Sequence, residues 1–351
     1  MTSAIGRKVT PTGVLVAPYN VPADEWHALR QAGIGGSDVA ALLGMDRYKS
    51  PFGLWLEKRG EMPDRPVPEK LARAAYWGHK HERDMSERFC ELTGMRTRRI
   101  GLIRHETDEW RRANLDYRVL GCPDGPCGLE LKNRSYYKAR EWGETGDPDG
   151  VPDKEALQTV HYLAVTGFSH FHVGVLLEGN DDRWYRIDRD EQLIDDVVAM
   201  ERSFMERVWS GEAPPLDGHA ALTELMAVLY AGDEDARKEL DPVKVESLLS
   251  RRAMLKAQIA QAAEEVDGCE NQLKELLGEA EVAVGPDGER LYTRKQNGQF
   301  SEKRFRETYP ELVEKYETTV PALDVDAIKA DHPDKHRACR ARVLRIPKER
   351  G

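Results

Sequence analysis

Leu129-Glu130-Leu131-Lys132 is the stretch that most constrains what this chain can fold into. In a strand, residues i and i+2 point to one face. Glu130 and Lys132 would then share a side, while Leu129 and Leu131 face a core. Asp116, upstream on an expected partner strand, can bring a second carboxylate to that side. Two hard oxygen ligands beside a lysine suit Mg²⁺ and attack on a phosphodiester. An acid and a lysine alternating on a strand are more often a solvated face, so the surrounding segments must carry the reading.

The chain has 351 residues, enough for a substantial core and roughly two domains. Its 40% hydrophobic and 32% charged residues fit a globular protein, not a disordered one. No apolar run reaches the ~18 residues that span a membrane. The first residues lack a signal-peptide pattern, so a cytoplasmic location is expected. The net charge of −10 argues against non-specific nucleic-acid binding, which runs on phosphate neutralisation. It leaves room for a nuclease whose basic residues line one groove, and Arg96, Arg98, Arg99, Arg111, Arg112, Lys132, Arg134, Lys138 and Arg140 are clustered, as is the run 335–350. The cysteines number five. Cys122 and Cys127 are close, but two ligands do not make a zinc or iron–sulfur site, and reduced thiols are expected.

Residues 1–22 carry Pro, Gly and Thr without periodicity and are expected to form a flexible arm. A short helix over 23–31 is followed by GIGGSDVAALLG, where Ser37 occupies an N-cap position. Gly35 and Gly36 would let backbone approach a ligand, and Arg30 could add a clamp on a phosphate. An ordinary glycine turn capped by serine is the plain alternative. Residues 51–60 read as a short helix and 70–93 as a long one carrying Glu82. His79 and His81 do not share a helix face and are assigned no metal. Strands are expected at 100–104, 113–120 and 129–132, with a turn at 122–125 whose Asp124 rivals Asp116. A helix over 153–166 places Gln158 and Tyr162 on one face. Strands at 171–177 and 183–187 and a helix over 191–209 complete an α/β core with a mixed sheet.

Composition changes at 211–218, which divides a core domain over 23–215 from the C-terminal part of the chain. Residues 216–280 are expected to be a helical arm. From Pro242 a heptad places Val245, Leu248, Leu255, Ile259, Ala262, Val266, Cys269, Leu273 and Leu276 at a and d, as an antiparallel arm or an oligomer contact. Residues 281–351 read as a small α/β extension, with a hairpin at 282–295, a helix at 301–317 and a final strand at 342–346.

Taken in order, GIGGSDVAALLG, GHKHERDMSERFCELTG, ANLDYRV, GLELKNRSYYKAREWG and ALQTVHYLAVTG resemble the YqaJ-type viral recombinase family. That is the lambda-exonuclease-like group of the PD-(D/E)xK nuclease superfamily. The resemblance covers roughly residues 24–215, and the order of its segments is more specific than any one of them. It implies a restriction-endonuclease-like core with a mixed central sheet flanked by helices, followed by a mostly helical C-terminal extension.

Residue by residue, the resemblance implies that Asp116 and Glu130 ligate a divalent metal together with the backbone carbonyl of Leu131. Glu82 would complete the acidic set, Lys132 would orient water and stabilise phosphate charge, and Gln158 would stand beside this centre with Tyr162 one turn on. Arg30 and Ser37 match a pair associated with a terminal 5′-phosphate. The cofactor implied is Mg²⁺, with Mn²⁺ able to substitute. The activity implied is 5′-to-3′ exonuclease action on linear double-stranded DNA, leaving 3′ single-stranded tails for bacteriophage-type recombination in the bacterial host's cytoplasm. DNA ends, a single-strand annealing protein and a homo-oligomer, a trimer by resemblance, are the implied partners, and no membrane is. The alternatives are a structure-specific or single-strand endonuclease of the same superfamily and a non-catalytic DNA-end-binding scaffold.

Overall fold

In this computed structural model the chain forms two compact units, Met1–Ala231 and Gly232–Gly351. The structure describes residues 5–63, 69–230, 237–295, 299–316 and 323–339. The expected strand at 342–346 and most of the basic run 335–350 lie outside the described residues.

The first unit opens with a strand where a flexible arm is expected. The run Gly13–Ala17 (β1), GVLVA, buries Val14, Leu15 and Ala17 and pairs antiparallel with β3, Leu102–His105. Its apolar residues supply the burial that the Pro and Gly around it conceal. The helices Ala23–Gln31 (α1), Gly36–Leu42 (α2), Pro51–Arg59 (α3) and Glu69–Thr93 (α4) come next. α3 starts on a Ser50 side-chain cap and stops at Gly60, whose φ of 71° admits the left-handed turn. Arg96–Arg98 (β2), read from sequence only as a basic cluster, is a strand as well.

The single strand expected at 113–120 is two: Arg112–Asn114 (β4) and Tyr117–Leu120 (β5). β4 belongs to a sheet of order β1-β3-β4, and β5 to a sheet of order β2-β5-β6-β7-β8. The chain changes sheets at Leu115 and Asp116, so Asp116 sits at the joint rather than on a ladder. The second sheet is completed by Cys127–Arg134 (β6), His170–Leu177 (β7) and Asp181–Asp188 (β8). β6 and β7 run parallel and their neighbours antiparallel, giving the mixed sheet that was expected. The parallel pair needs a crossover, supplied by a short helix, Tyr136–Ala139 (α5), and by Asp153–Thr166 (α6).

Alternation along β6 sends Cys127, Leu129 and Leu131 to a cluster with Met85 and Phe89 of α4. Gly128, Glu130 and Lys132 are left for the α6 side. The larger core joins α2, α3 and α6 to Glu191–Ser210 (α7) and Ala220–Leu229 (α8), around Leu54, Leu163, Phe168 and Phe171. Leu222 and Leu225 of α8 are buried there, so the first unit runs past residue 215, the expected boundary.

α6 is tied down by a buried pair that sequence reading passed over. His161 Nδ1 lies 2.6 Å from Glu201 Oε1 of α7, and its Nε2 lies 2.8 Å from the Arg112 carbonyl. Burial works against the imidazolium, but Glu201 and the carbonyl outweigh it and raise the His161 pKa. A raised folded pKa means the stabilisation is full below about pH 6.5 and fades as pH climbs through the folded value. His161→Ala leaves Glu201 uncompensated and is expected to cost about 3–5 kcal/mol by urea denaturation. A loss no larger than that of an average surface substitution would rule out the pair as an anchor.

The second unit holds one unbroken helix, Pro242–Leu277 (α9), capped by Asp241. Its heptad residues Leu248, Ile259, Val266 and Leu276 stay exposed, so the antiparallel arm considered from sequence is not formed among the described residues of this unit. The hairpin Val282–Val284 (β9) and Arg290–Thr293 (β10) is present. The helix expected at 301–317 is broken at Pro310, where the ring removes a backbone donor, into Glu302–Thr308 (α10) and Pro310–Tyr316 (α11). Val325–Asp331 (α12) and Pro333–Ala338 (α13) follow among the described residues. No helix of the described residues is long and apolar enough to cross a membrane.

Candidate active site

A cleft of about 540 Å³ is lined by Ser37, Glu82, Asp116, Glu130, Leu131 and Lys132, among others. Six positions singled out from sequence therefore share one concavity. The register explains how the two carboxylates meet. Tyr117 pairs with Leu129, so the residue before Tyr117 falls opposite Glu130. Asp116 is fixed there by the Leu131 N–H, which donates to its Oδ2 at 2.7 Å. The rival, Asp124, is exposed and ion-paired with Arg186 of β8.

Glu130 is 3% exposed, and its two oxygens are treated differently. Oε1 accepts from Lys132 Nζ at 2.6 Å and from Gln158 Nε2 at 2.7 Å. Lys132 also donates to Gln158 Oε1 at 2.9 Å. Gln158 Nε2 reaches the Tyr162 hydroxyl at 2.8 Å, and that hydroxyl donates to the Asn114 carbonyl at 3.2 Å. Burial, then Glu130 and Asp116, push the Tyr162 phenol well above its usual range, so it stays a donor. Gln158 and Tyr162 thus share a face as expected and stand behind the carboxylates. Gly36 allows this: a Cβ there would lie 2.6 Å from Tyr162 Cε1 and 2.9 Å from Gln158 Cγ. Its role is close packing of α2 on α6, where the sequence suggested approach to a ligand.

Glu130 Oε2 is buried without a hydrogen-bond partner. An orphan oxygen alone is weak evidence, since Glu201 Oε2 is another. At Glu130, however, it belongs to a carboxylate that lines a cleft with two more. Burial, then Glu130 and Glu82, raise the Asp116 carboxyl well above the ordinary carboxylate range. Glu130 and Glu82 repel a charge on Asp116, a cost that a divalent cation would relieve, and hard carboxylate oxygens are the donors Mg²⁺ takes. The residues fit the group.

Glu82 is held by Arg99, read from sequence only as part of a basic cluster, and by His79, to which the sequence reading gives no role. Arg99 Nη2 donates to its Oε2 at 2.9 Å, and His79 Nδ1 lies 2.8 Å from its Oε1. The i, i+3 spacing of His79 and Glu82 on a helix was the available signal.

Arg30 and Ser37 meet, the guanidinium donating to the Ser37 hydroxyl. Ser37 is not the N-cap. Gly35 is, and Asp38 reaches back to accept from its N–H at 3.0 Å. Asp38 is fully buried and bonded by Lys58 at 2.7 Å, with Arg30 and Lys49 at 3.4 and 3.6 Å. Burial alone would raise its pKa, but these three cations hold the carboxyl below the usual range. Arg30 lines a neighbouring hollow with Asp24, His27 and Glu57 and joins the cleft only through Ser37.

A mixed sheet with Glu130 and Lys132 on β6, Asp116 at the joint before β5 and Glu82 on α4 defines a class of α/β core with an acidic cleft. The profile of the YqaJ-like viral recombinase domain matches residues 25–169. The chain is 31% identical over 307 residues to the uncharacterised protein YqaJ of Bacillus subtilis, covering 86% of this chain and 93% of that one. It belongs to the YqaJ-like viral recombinase family. A shorter match, 40% identical over 75 residues and covering 20% of each chain, is to a protein of African swine fever virus. Among solved structures, the alkaline exonuclease LHK-Exo of Laribacter hongkongensis aligns with a TM-score of 0.43 at 19% identity, over 59% of this chain and 100% of that one.

Proposed function

We propose that this protein is a metal-dependent DNA exonuclease that degrades linear duplex from 5′ ends, leaving 3′ single-stranded tails for recombination. The observation that carries the reading is the convergence of Glu82, Asp116, Glu130 and Lys132 on one cleft, with Glu130 Oε2 left unpartnered. Mg²⁺, or Mn²⁺ in its place, held by Asp116 and Glu130 with the Leu131 carbonyl and Glu82 alongside, would polarise the scissile phosphate and make water more acidic.

The chain's own residues do the rest. Gln158 holds Glu130 Oε1, which leaves Oε2 without a protein partner and free to serve a cation. Lys132 is the charged donor of the cleft and faces the negative charge that grows on the phosphate as water adds. The bond from phosphorus to the 3′-oxygen breaks as the bond to the water oxygen forms; the water gives up a proton to solvent, and the 3′-oxygen takes one from solvent as it leaves. Arg30 and Ser37 take the terminal 5′-phosphate, the guanidinium as a charge-assisted donor. Through the family resemblance, the reading extends to a ring-shaped trimer, a single-strand annealing partner and action in the host cytoplasm.

The test compares linear duplexes bearing a 5′-phosphate or a 5′-hydroxyl with a closed circle, in Mg²⁺. Preferential loss of the phosphorylated linear strand with the circle intact is expected. Arg30→Ala should narrow the preference by roughly tenfold or more, since a hydrogen bond to a charged group is worth about 1.5–3 kcal/mol. Cutting of the circle would replace this reading with an endonuclease. Absence of Mg²⁺-dependent cutting would leave a DNA-end-binding scaffold.

A further inference from the structure

Cys122 lies just past β5 and Cys127 opens β6, so the two thiols flank the turn between those strands. The fold sets His170 and His172 of β7 against them. Cys127 and His170 are direct partners across the parallel β6–β7 pair. Cys122 Sγ lies 3.5 Å from His170 Nε2, and the two imidazole rings are 5.0 Å apart. One ligand atom from each of the four residues lies within 4.8 Å of every other. Cys127 and His170 are fully buried, and His172 Nε2 is buried with no hydrogen-bond partner.

We propose that Cys122, Cys127, His170 and His172 form a structural Zn²⁺ site, separate from the acidic cleft. Tetrahedral bonds of about 2.0–2.3 Å place neighbouring ligands about 3.5 Å apart, so a contraction of roughly one ångström closes the site. Four protein ligands leave no open position, which marks a structural ion rather than a catalytic one. Ligand softness keeps the two sites apart: thiolate and imidazole select zinc, while the carboxylates of the cleft select magnesium. Ser169 Oγ, 2.9 Å from His170 Nδ1, is the outer partner that turns Nε2 toward Cys122. Both thiols would release their protons to solvent as the ion binds.

The ion would join three neighbours: the β5–β6 turn through Cys122, β6 through Cys127, and β7 through both histidines. Leu129 pairs with His172 and Glu130 with Val173, so the clamp fixes the register of the strand segment that leads directly into Glu130 and Lys132. It would also hold β5, which brings Asp116 opposite Glu130. The sequence pair Cys122 and Cys127 is half of a site whose other half arrives only through the α6 crossover.

The test uses the full chain, freed of any histidine tag and dialysed against Mg²⁺ buffer without chelator. Elemental analysis should find close to one zinc per chain. Exchange with Co²⁺ should produce thiolate-to-cobalt charge-transfer absorption and tetrahedral visible bands. Cys122→Ser and His172→Gln should each lose these signals, with far-UV circular dichroism reporting whether the variant is folded, while Cys90→Ser keeps them. The wild-type protein alone decides the matter if the variants misfold. Wild-type chain that retains no zinc and gives no thiolate–cobalt band would overturn the site, as would a Cys122–Cys127 disulfide in freshly purified protein.

Discussion

Lys132→Ala is expected to lower turnover on linear duplex by at least about 10²–10³-fold, the usual cost of removing one preorganised charged donor from a reaction centre. The substitution removes the cation that donates to both Glu130 and Gln158. Its loss falls on the transition state, where charge on the phosphate is largest, so kcat should drop while KM changes little. Gel-shift binding of a phosphorylated duplex end should stay within a few-fold of wild type, because Arg30 and Ser37 are untouched. Lys132→Arg keeps the charge but not the compact ammonium that fits between Glu130 and Gln158, and should recover only part of the rate. Near-wild-type turnover in Lys132→Ala would remove Lys132 from the mechanism and the cleft from the proposed function.

The centre of this site was legible because strand alternation is local. Glu130 and Lys132 on one face and Leu129 and Leu131 on the other follow from a period of two, and Leu129 and Leu131 do enter the cluster under α4. Gln158 and Tyr162 followed from the helical period in the same way. Element boundaries were legible where capping chemistry announced them, as at Ser50 and Gly60 of α3.

What stayed hidden depends on partners distant in sequence. β1 has an apolar run too short to stand out until β3 covers it. The break between β4 and β5 falls at Leu115 and Asp116, where no Gly or Pro announces that the chain passes from one sheet to the other. Asp38 reads as an ordinary first-turn acid until Lys58, Lys49 and Arg30 surround it. His161 and Glu201, and the cysteines and histidines of the proposed zinc site, are pairings between elements with no local signature. Asp124 competed with Asp116 for the same reason. Only the antiparallel register, with Tyr117 on Leu129, decides which carboxylate lies beside Glu130.

Asp116→Asn is expected to abolish Mg²⁺-dependent cleavage and, in a chelating buffer, to make the protein more stable than wild type. The carboxyl is raised by burial and by Glu130 and Glu82, and Lys132 and the Leu131 N–H offset this only in part. A carboxyl whose folded pKa exceeds its unfolded value of about 3.9 favours folding most when protonated, and as pH rises past that value it costs stability. Without cation, wild type therefore bears the cost of a buried carboxylate or of the proton that replaces it, and asparagine removes that cost while keeping an acceptor for Leu131. Each kcal/mol recovered should raise the melting temperature by about 2–4 °C in a unit of this size. Added Mg²⁺ should reverse the order, since ligand binding to the folded state raises wild-type stability by about 2.7 kcal/mol at a hundredfold excess over Kd, and the variant loses that gain. The same proton competes with the cation. The Mg²⁺ concentration for half-maximal cleavage should rise by up to about tenfold per unit drop in pH below the Asp116 pKa. Differential scanning calorimetry with and without Mg²⁺ reads the stability half of this, and Mg²⁺ titrations of cleavage at several pH values read the other. If Asp116→Asn is less stable than wild type in chelator, or gains as much from Mg²⁺, Asp116 is a structural acceptor for Leu131 and not a ligand held ready for a cation.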